Sequence, residues 1–328
     1  MISKKAIENI QEALGGRAKI NEALGPHTTL KIGGPADLFF EARTADELVA
    51  AVSAARKEGI PLFILGGGSN ILIGDRGIRG LVVRNLCMNI RVKGVKAVTI
   101  GGNQKKIVFV EAESGVPMNK LVRFTVDEGL AGLHMHLGLP GTVGGAIYMN
   151  SKWTKPEGYV GECVYQVHIV TAAGEEQVVP QSYFHFAYDT SSLQKTRDVV
   201  ISVVFSLTSD NRDRLWKLAT DSITYRRATQ PQGVATAGCT FRNLSSSEAL
   251  THSTPEHTTS AGYLIDHSGL KGMKIGGAEI SSMHANFIVN TGKATAKDVV
   301  QLIETARENV QKQFGVRLVE EVERVGEF

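Results

Sequence analysis

The spacing of apolar and polar positions changes twice along the chain. Up to residue 87, short apolar strands flank a helix that starts at a T-x-x-E capping box formed by Thr44 and Glu47. From Met88 the two-residue alternation of strands dominates, and a helical period of about 3.6 residues returns near Asp213. These changes predict three domains, which comprise residues 1–87, 88–212 and 213–328.

Turn and cap residues predict individual elements. Leu30 and Ile32 alternate before a glycine-rich turn at residues 33–35, which predicts a strand, a turn and a second strand. Residues 101–103 (Gly-Gly-Asn) separate two strand-like runs and predict a hairpin. A C-terminal helix is predicted to begin at Thr295. Its apolar face consists of Val299, Leu302, Ile303, Ala306 and Val310.

The composition is that of a folded globular protein and limits the classes of partner. Of the 328 residues, 42% are hydrophobic and 21% are charged, which excludes a disordered chain. The net charge of +3 is too small and too evenly spread for a nucleic-acid-binding surface. No apolar run reaches the ~18 residues of a membrane span. We therefore expect neither nucleic acid nor a membrane as a partner.

The cysteines and histidines give no pattern of a disulfide framework or a metal site. Cys87, Cys163 and Cys239 are odd in number and show no CxxC spacing, which fits a reducing cytoplasm. His134 and His136 lie two residues apart in an apolar segment without a third ligand nearby. We therefore expect a cytoplasmic protein without a bound metal.

Two glycine-rich loops form the candidate cofactor site. GGGSN follows a predicted buried strand, and GLPGTVGGA spans residues 138–146. Glycines let the backbone approach a ligand closely and turn its N–H groups toward an anion. Each loop alone fits a pair of tight turns equally well, but together they favour a phosphate-bearing cofactor held between two lobes. The predicted cofactor ligands are Gly66, Gly67, Gly68, Ser69, Asn70, Pro140, Gly141, Thr142, Gly144 and Gly145.

Seven short motifs occur in order between about Ala23 and Gly326. They are HTTLKIGGPAD, LGGGSNILI, GLPGTVGGAIYMN, TAGCTFRN, AGYLIDHSGLKG, HANFIVN and LVEEVERVG. In this order they resemble the bacterial UDP-N-acetylenolpyruvoylglucosamine reductase (MurB) family. The resemblance implies an α+β fold, in which a two-lobed FAD-binding module of the vanillyl-alcohol-oxidase type precedes a C-terminal α+β substrate-binding domain. That C-terminal domain is similar to the short form, which lacks a substrate-covering insertion.

The same resemblance implies the reaction and its cofactors. Members of the family bind FAD non-covalently and take hydride from NADPH. They reduce the enolpyruvyl ether of UDP-N-acetylglucosamine to UDP-N-acetylmuramate, a step of peptidoglycan precursor synthesis. We therefore expect FAD and NADPH as cofactors, a UDP-sugar as substrate and a monomeric enzyme.

Reduction of an enolpyruvyl double bond needs a hydride donor, stabilisation of the charge that develops on the carboxylate, and an acid that protonates the neighbouring carbon. The resemblance places the acid at Cys239, where most relatives have serine, and an assisting carboxylate at Glu321. A thiol has a pKa near ~8.5 and is a far stronger acid than an alcohol. The alternative for Cys239 is a buried packing residue. We assign that role to Cys87 and Cys163, which lie in strand-like segments, and expect Glu320 to be solvated.

One motif departs from the family pattern. Where the family has Tyr-Arg-x-Ser, this chain reads Tyr188-Asp189-Thr190-Ser191. An aspartate repels the substrate carboxylate that the arginine is expected to bind. Lys152 is a candidate for the missing cation and Arg197 a weaker one. Tyr188 is predicted to contact substrate, and the alternative is a half-buried strand tyrosine.

Further substrate contacts are predicted downstream. Arg226 and Arg227 precede the loop of Cys239, and a UDP diphosphate requires such cations. We assign substrate binding to Arg227, with a solvated helix end as the alternative. Asn243 matches the nucleotide-sugar contact of the family. His284 is expected to structure a loop.

Two other functions remain open from the sequence. An FAD-dependent oxidase of the same fold would use oxygen, but such enzymes often attach flavin through a histidine in the first glycine loop, which has none here. A nucleotide-sugar binding protein that has lost catalysis is suggested by Asp189. The presence of Cys239 and Glu321 disfavours it, because a binding protein needs neither.

Overall fold

The computed structural model describes residues 2–100, 103–154 and 157–328, and these form two compact units. Unit 1 contains the described parts of Met1–Ile20, Asp37–Gly67 and Gly80–Arg226. Unit 2 contains Asn21–Ala36, Gly68–Arg79 and Arg227–Phe328. The first glycine loop therefore contributes to both units. The predicted domain boundaries after residues 87 and 212 stay a prediction.

Strands and helices are numbered here along the chain. The strands are β1 (Lys19–Ala23), β2 (Pro35–Ala42), β3 (Leu62–Leu65), β4 (Ile71–Ile73), β5 (Ile78–Asn85), β6 (Ile90–Ile100), β7 (Asn103–Glu113), β8 (Leu130–Ala131), β9 (Lys152–Thr154), β10 (Glu157–Tyr159), β11 (Val164–Val170), β12 (Glu176–Pro180), β13 (Val199–Ser209), β14 (Ala235–Cys239), β15 (Lys274–Ile275), β16 (Ala278–Ile280), β17 (Phe287–Asn290) and β18 (Glu323–Val325). The α-helices are α1 (Lys4–Ala13), α2 (Ala45–Lys57), α3 (Met118–Asp127), α4 (Val143–Met149), α5 (Leu193–Thr196), α6 (Arg212–Thr229), α7 (Ser246–Thr251), α8 (Ala261–His267) and α9 (Ala296–Phe314). The described helices include none with the length and apolar character required to cross a membrane.

The first sheet has the strand order β1-β2-β5-β3, and its β3 and β5 run parallel. Helices α1 and α2 bury their apolar faces with it, through residues such as Ile10 and Leu48. The start of α2 follows from its sequence, because the Thr44 side chain accepts a hydrogen bond from the Glu47 N–H. The sheet brings β3 and the start of the first glycine loop into unit 1.

The second sheet of unit 1 has the order β12-β11-β13-β7-β6, with β8 along the end of β13. Its alternating apolar positions, among them Val110 and Val203, pack with α3, α4 and α6 in one buried core. β6 and β7 are antiparallel, with Ile100 opposite Asn103. Residues 101–102 of the predicted hairpin lie outside the described residues.

Unit 2 is built on the antiparallel sheet β14-β17-β16-β15, with α8 and α9 against it. α9 begins with the predicted capping box, formed by Thr295 and Asp298, and ends at Gly315 in a left-handed conformation. The five predicted apolar positions of α9 are all buried. A parallel pair of β18 with β4 joins the C-terminal segment to the stretch after the first glycine loop.

Two predicted strands are wrong or too long. Residues 28–34, all described, form bends and irregular backbone rather than a strand, although Leu30 and Ile32 are buried in the core of unit 2. The apolar alternation near residues 316–325 likewise predicts a final strand, but the structure confines it to β18. In both places apolar alternation reflects burial without a continuous strand partner, and the ladder of hydrogen bonds that defines a strand depends on that partner.

Candidate active site

The two glycine loops meet in unit 1. Gly66 and Gly67 follow β3, and Gly141 and Thr142 precede α4. A Cβ on Gly67 would lie 2.7 Å from Gly141 Cα, and one on Gly66 would clash with Thr142 Oγ1. Gly67 is nevertheless exposed. These glycines therefore permit a close approach of two backbones at the surface of the unit, which is the geometry of a cradle for a ligand.

The second loop is fixed by hydrogen bonds to the segment that follows β7. Val143 N–H donates to Val116 O over 2.8 Å, and Gly144 N–H donates to Ser114 O over 2.8 Å. Gly141 has φ +100°, a conformation that favours glycine. Of the other predicted ligands in this loop, Thr142 is buried, whereas Pro140 and Gly145 are exposed. The second loop is thus hydrogen-bonded on its buried side and exposed to solvent at Pro140 and Gly145.

The remainder of the first loop belongs to unit 2 and is held by Thr29. Its hydroxyl donates to Gly68 O over 3.1 Å and to Thr236 O in β14 over 2.7 Å. Gly68 has φ +60°, and a Cβ there would lie 2.8 Å from His27 O. Sequence reasoning missed this role of Thr29. The sequence signal for this role is the HTT of the first motif, which the apolar alternation places in a strand.

Asn70 and Ser69 lie beside the C-terminal segment. The Asn70 side-chain amide donates to Glu321 O over 3.1 Å, and Asn70 O accepts from Glu323 N–H over 3.0 Å. A Cβ on Gly238 would lie 4.0 Å from Ser69 O. Asn70 was predicted as a cofactor ligand with a side-chain donor, and the structure shows that this donor contacts the protein backbone.

The two candidate catalytic residues, Cys239 and Glu321, are linked by one backbone hydrogen bond, which joins Glu321 to Thr240, the neighbour of Cys239. Cys239 is the last residue of β14, opposite Phe287 of β17. Thr240, the next residue, accepts a hydrogen bond from Glu321 N–H over 2.8 Å and donates one to Asn286 O over 2.7 Å. Cys239 and Glu321 are both partly exposed. The structure thus brings together the backbone segments of two candidate residues that are far apart in sequence.

Asn286 supports the loop that follows Cys239. Its side chain accepts from Phe241 N–H over 2.9 Å and donates to Phe241 O over 2.8 Å. Asn286 is 3% exposed, so both bonds are shielded from water. The role was not predicted, although Asn286 lies in the HANFIVN motif. His284 structures this loop as expected, since its Nδ1 accepts from Asn286 N–H over 3.2 Å.

The neighbouring carboxylates Glu320 and Glu321 differ in environment, and the expectation of a solvated Glu320 is wrong. Glu320 pairs with Arg307 at 2.5 Å and with Arg324 at 2.7 Å, and Arg324 also pairs with Glu304 at 2.9 Å. The Glu320 side chain is 20% exposed. Its carboxylate is engaged by two guanidinium groups, those of Arg307 and Arg324.

Of the other two cysteines, Cys87 is buried and Cys163 is partly buried. Cys87 is fully buried, and burial raises its pKa to about 12. Burial likewise raises the pKa of Cys163 to about 11. Neither lies in a strand as expected, because Cys87 follows β5 and Cys163 ends a short 3₁₀ helix at Val160–Cys163. Both thiols pack in the core of unit 1.

Tyr188 and Asp189 form the tip of a tight turn rather than part of a strand. Ala187 N–H donates to Thr190 O over 3.1 Å, and Asp189 has φ +52° and is 6% exposed. The Lys152 ammonium lies 4.3 Å from the centre of the Tyr188 ring, within the range of a cation–π contact. The structure therefore brings Lys152 to the turn where the family has its arginine. Residues 155 and 156, which follow β9, lie outside the described residues.

The remaining predicted substrate contacts occupy different environments. On α6, Arg226 lies 4.8 Å from the centre of the Trp153 ring and donates to Gly138 O over 3.2 Å, whereas Arg227 is exposed. Arg197, the weaker candidate cation, is exposed. Asn243 is also exposed, and its side-chain oxygen accepts from Ala261 N–H over 3.2 Å at the start of α8.

His136 is a buried neutral group in unit 1. Burial, and then the positive charge of Arg226, lower its pKa to about 4. Burial also lowers the pKa of His134. Among the described residues, no group of three or more His, Cys, Asp or Glu side chains is arranged to hold a metal ion.

Models of two protein families match this chain. The model described as "UDP-N-acetylenolpyruvoylglucosamine reductase, C-terminal domain" matches residues 230–325, which include Cys239 and Glu321. The model described as "FAD binding domain" matches residues 36–179, which include both glycine loops.

Similar proteins cover almost the whole chain. The UDP-N-acetylenolpyruvoylglucosamine reductase of Halalkalibacterium halodurans is 35% identical over 324 residues, 99% of each protein. That of Desulfosudis oleivorans is 37% identical over 317 residues, 95% of each.

Solved structures agree with these relatives. The crystal structure of UDP-N-acetylenolpyruvylglucosamine reductase (MurB) from Thermus caldophilus has a TM-score of 0.74 at 30% identity and covers 94% of this chain and 99% of its own. A VAO-type flavoprotein from Myceliophthora thermophila, with a TM-score of 0.56 at 12% identity over 94% of this chain and 85% of its own, shares the fold alone. The predicted α+β fold with an FAD-binding module is therefore confirmed. Identity at this level over nearly the full length shows that the chain belongs to the UDP-N-acetylenolpyruvoylglucosamine reductase family of oxidoreductases.

Proposed function

We propose that this chain reduces the enolpyruvyl ether of UDP-N-acetylglucosamine to UDP-N-acetylmuramate, with NADPH as the source of hydride and Cys239 as the source of the proton. The observation that carries the proposal is the backbone hydrogen bond between Glu321 and Thr240, the neighbour of Cys239, in a chain of this family. A product of this kind serves peptidoglycan precursor synthesis.

FAD is the group that the two glycine loops fit. Gly66, Gly67 and Gly141 leave no room for side chains, so the loops present backbone to a ligand. The first loop contains no histidine or cysteine, which supports non-covalent binding. When bound, FAD supplies the hydride for the substrate double bond. Residues 66–69 and 138–146 would hold it through backbone groups, because the side-chain amide and the carbonyl oxygen of Asn70 are bonded to the chain on both sides of Val322.

Cys239 and Glu321 would handle the proton. The Cys239 S–H bond breaks and a C–H bond forms at the substrate carbon next to the carboxylate, which leaves a thiolate. Glu321, in its protonated form, donates a hydrogen bond to the enolate-like charge that precedes this step, or transfers its proton to the thiolate and becomes a carboxylate. The exposure of both side chains supports access of substrate.

Four further residues are proposed to bind the substrate. Lys152, at 4.3 Å from the Tyr188 ring, provides a positive charge for the substrate carboxylate, and Tyr188 contacts the same group. Arg227 and Asn243 would contact the UDP moiety, and their exposure supports this role. The monomeric state and the cytoplasmic location stay predictions.

One experiment tests the function. The purified protein is expected to be yellow, to release its flavin on denaturation, to be reduced by NADPH under anaerobic conditions and to be re-oxidised by the enolpyruvyl substrate. Re-oxidation by oxygen but not by this substrate would indicate an oxidase. Binding of UDP-sugar without re-oxidation would indicate a binding protein, which is the function suggested by Asp189.

A further inference from the structure

The backbone of Glu321 is held on both sides within unit 2. Its N–H donates to Thr240 O over 2.8 Å, and its carbonyl oxygen accepts from the Asn70 side chain over 3.1 Å. Asn70 also accepts from Glu323 N–H over 3.0 Å, and β4 continues from there in a parallel pair with β18. Asn70 therefore bonds to the chain on both sides of Val322.

We infer that Asn70 is a positioning residue, which acts through Glu321 by fixing the backbone of that residue beside Cys239. The inference deepens the proposed function and rests on it. Thr240 ties Glu321 to the loop of the thiol, and Asn70 ties it to the first glycine loop. Because both the N–H and the carbonyl oxygen of Glu321 are bonded, the Cα from which its side chain starts is held in one position relative to Cys239. Loss of the Asn70 amide removes one of the two anchors.

This role differs in a measurable way from that of a cofactor ligand. A ligand of FAD would change the affinity for FAD and the reduction of the flavin by NADPH. A positioning residue for Glu321 would leave both unchanged and would slow only the step in which substrate re-oxidises the flavin. The two roles therefore separate in the two half-reactions.

The test is a double-mutant cycle of Asn70→Ala and Glu321→Gln, measured by stopped flow on the FAD-loaded protein. Asn70→Ala is expected to slow re-oxidation by roughly 10- to 100-fold, the cost of displacing a reacting group by up to about 1 Å. In the Glu321→Gln background the same change is expected to have less than about a twofold further effect, because coupled residues are not additive. Asn70→Asp, which keeps the size and removes the donor, serves as the second variant if alanine prevents folding.

A matched control is Asn290→Ala. The Asn290 side chain also donates to a backbone oxygen of unit 2, that of Leu30 over 3.0 Å, and neither residue is assigned a part in catalysis or in FAD binding. It is expected to lower the melting temperature and to leave both half-reactions unchanged.

Additive effects in the cycle, or loss of FAD in both Asn70 variants, would overturn the positioning role and leave the proposed function intact. A Glu321→Gln variant that re-oxidises at the normal rate would overturn the role of Glu321, and with it that of Asn70.

Discussion

Three thiols of the same intrinsic acidity lie in three environments in this protein. Burial raises the pKa of Cys87 to about 12 and of Cys163 to about 11, so both are weaker acids than an ordinary thiol. Cys239 is partly exposed at the end of β14, next to the residue that binds the Glu321 backbone. A functional thiol needs access to substrate, which the fully buried Cys87 lacks, and of the other two only Cys239 lies beside the residue that binds the Glu321 backbone.

Substitution of Cys239 is expected to separate the two half-reactions. Cys239→Ala should leave flavin reduction by NADPH nearly intact, because that step needs no proton from the thiol. Re-oxidation by the enolpyruvyl substrate should slow by on the order of 10²-fold or more, the usual contribution of a positioned general acid. Cys239→Ser should keep much of the activity.

Stopped-flow measurement of both half-reactions provides the check, with Cys163→Ala as the control that removes a different thiol. If Cys239→Ala re-oxidises at the wild-type rate, the thiol is a packing residue.

Lys152 is expected to bind the substrate carboxylate in place of the family arginine. Lys152→Met should lower kcat/KM for the enolpyruvyl substrate by at least about tenfold, since a hydrogen bond to a charged group is worth about 1.5–3 kcal/mol. Arg197→Met is the control, because Arg197 is the other candidate cation and is exposed. Steady-state kinetics decides between them, and unchanged constants for Lys152→Met would contradict its role.

At the scale of elements, the catalytic candidates depend on junctions between strands and loops. β14 ends at Cys239, β18 begins two residues after Glu321, and Thr29 joins the first glycine loop to β14. The capped helix α9 follows from its sequence, because caps and a 3.6-residue period are local signals. The conformation of residues 28–34, by contrast, does not follow from their sequence. Their apolar alternation predicts a strand, but in the structure the hydrogen bonds of Thr29 to Gly68 and Thr236 take the place of strand pairing.

The contact between the glycine loops is expected to be required for FAD binding. In Gly67→Val the side chain would meet Gly141 Cα and separate the loops, so the purified variant should lose its flavin. Gly94→Val is the matched control, because a Cβ at Gly94 of β6 has no described atom within 4 Å. Visible absorbance of the two variants gives the answer. A yellow, fully loaded Gly67→Val protein would contradict the assignment.

At the scale of the whole molecule, the units are discontinuous in sequence. Unit 2 combines Asn21–Ala36 and Gly68–Arg79 with the C-terminal part of the chain. Each unit has a buried core of its own, and a composition scan along the chain cannot detect such a division, because contacts between distant segments create it. The two tryptophans, Trp153 and Trp216, lie in unit 1, so their fluorescence reports the unfolding of that unit.

The acid stability of unit 1 is expected to depend on His136. Its pKa of about 4 lies below the value near ~6.5 of an unfolded chain, so unfolding takes up a proton between these two pH values. The contribution of His136 to the free energy of unfolding is therefore fully present above about pH 6.5. It falls by up to about 3 kcal/mol as the pH drops toward 4.

Denaturant unfolding followed by tryptophan fluorescence at several pH values tests this. His136→Gln should flatten the pH dependence between these values, whereas the exposed His185→Gln should not change it. An equal slope in wild type and His136→Gln would show that other groups carry the acid sensitivity.

The sequence by itself determined the family, the fold class, the two glycine loops and the capped helices α2 and α9, because motifs, caps and periodicity are properties of short segments. It also indicated Cys239 and Glu321, but only through resemblance. The tertiary structure alone decided that Glu320 is paired with two arginines, that Lys152 lies on the Tyr188 ring, and that Asn70, Thr29 and Asn286 hold the loops of the site. These facts depend on which distant segments meet, and hydrogen-bond partners far apart in sequence leave no local pattern.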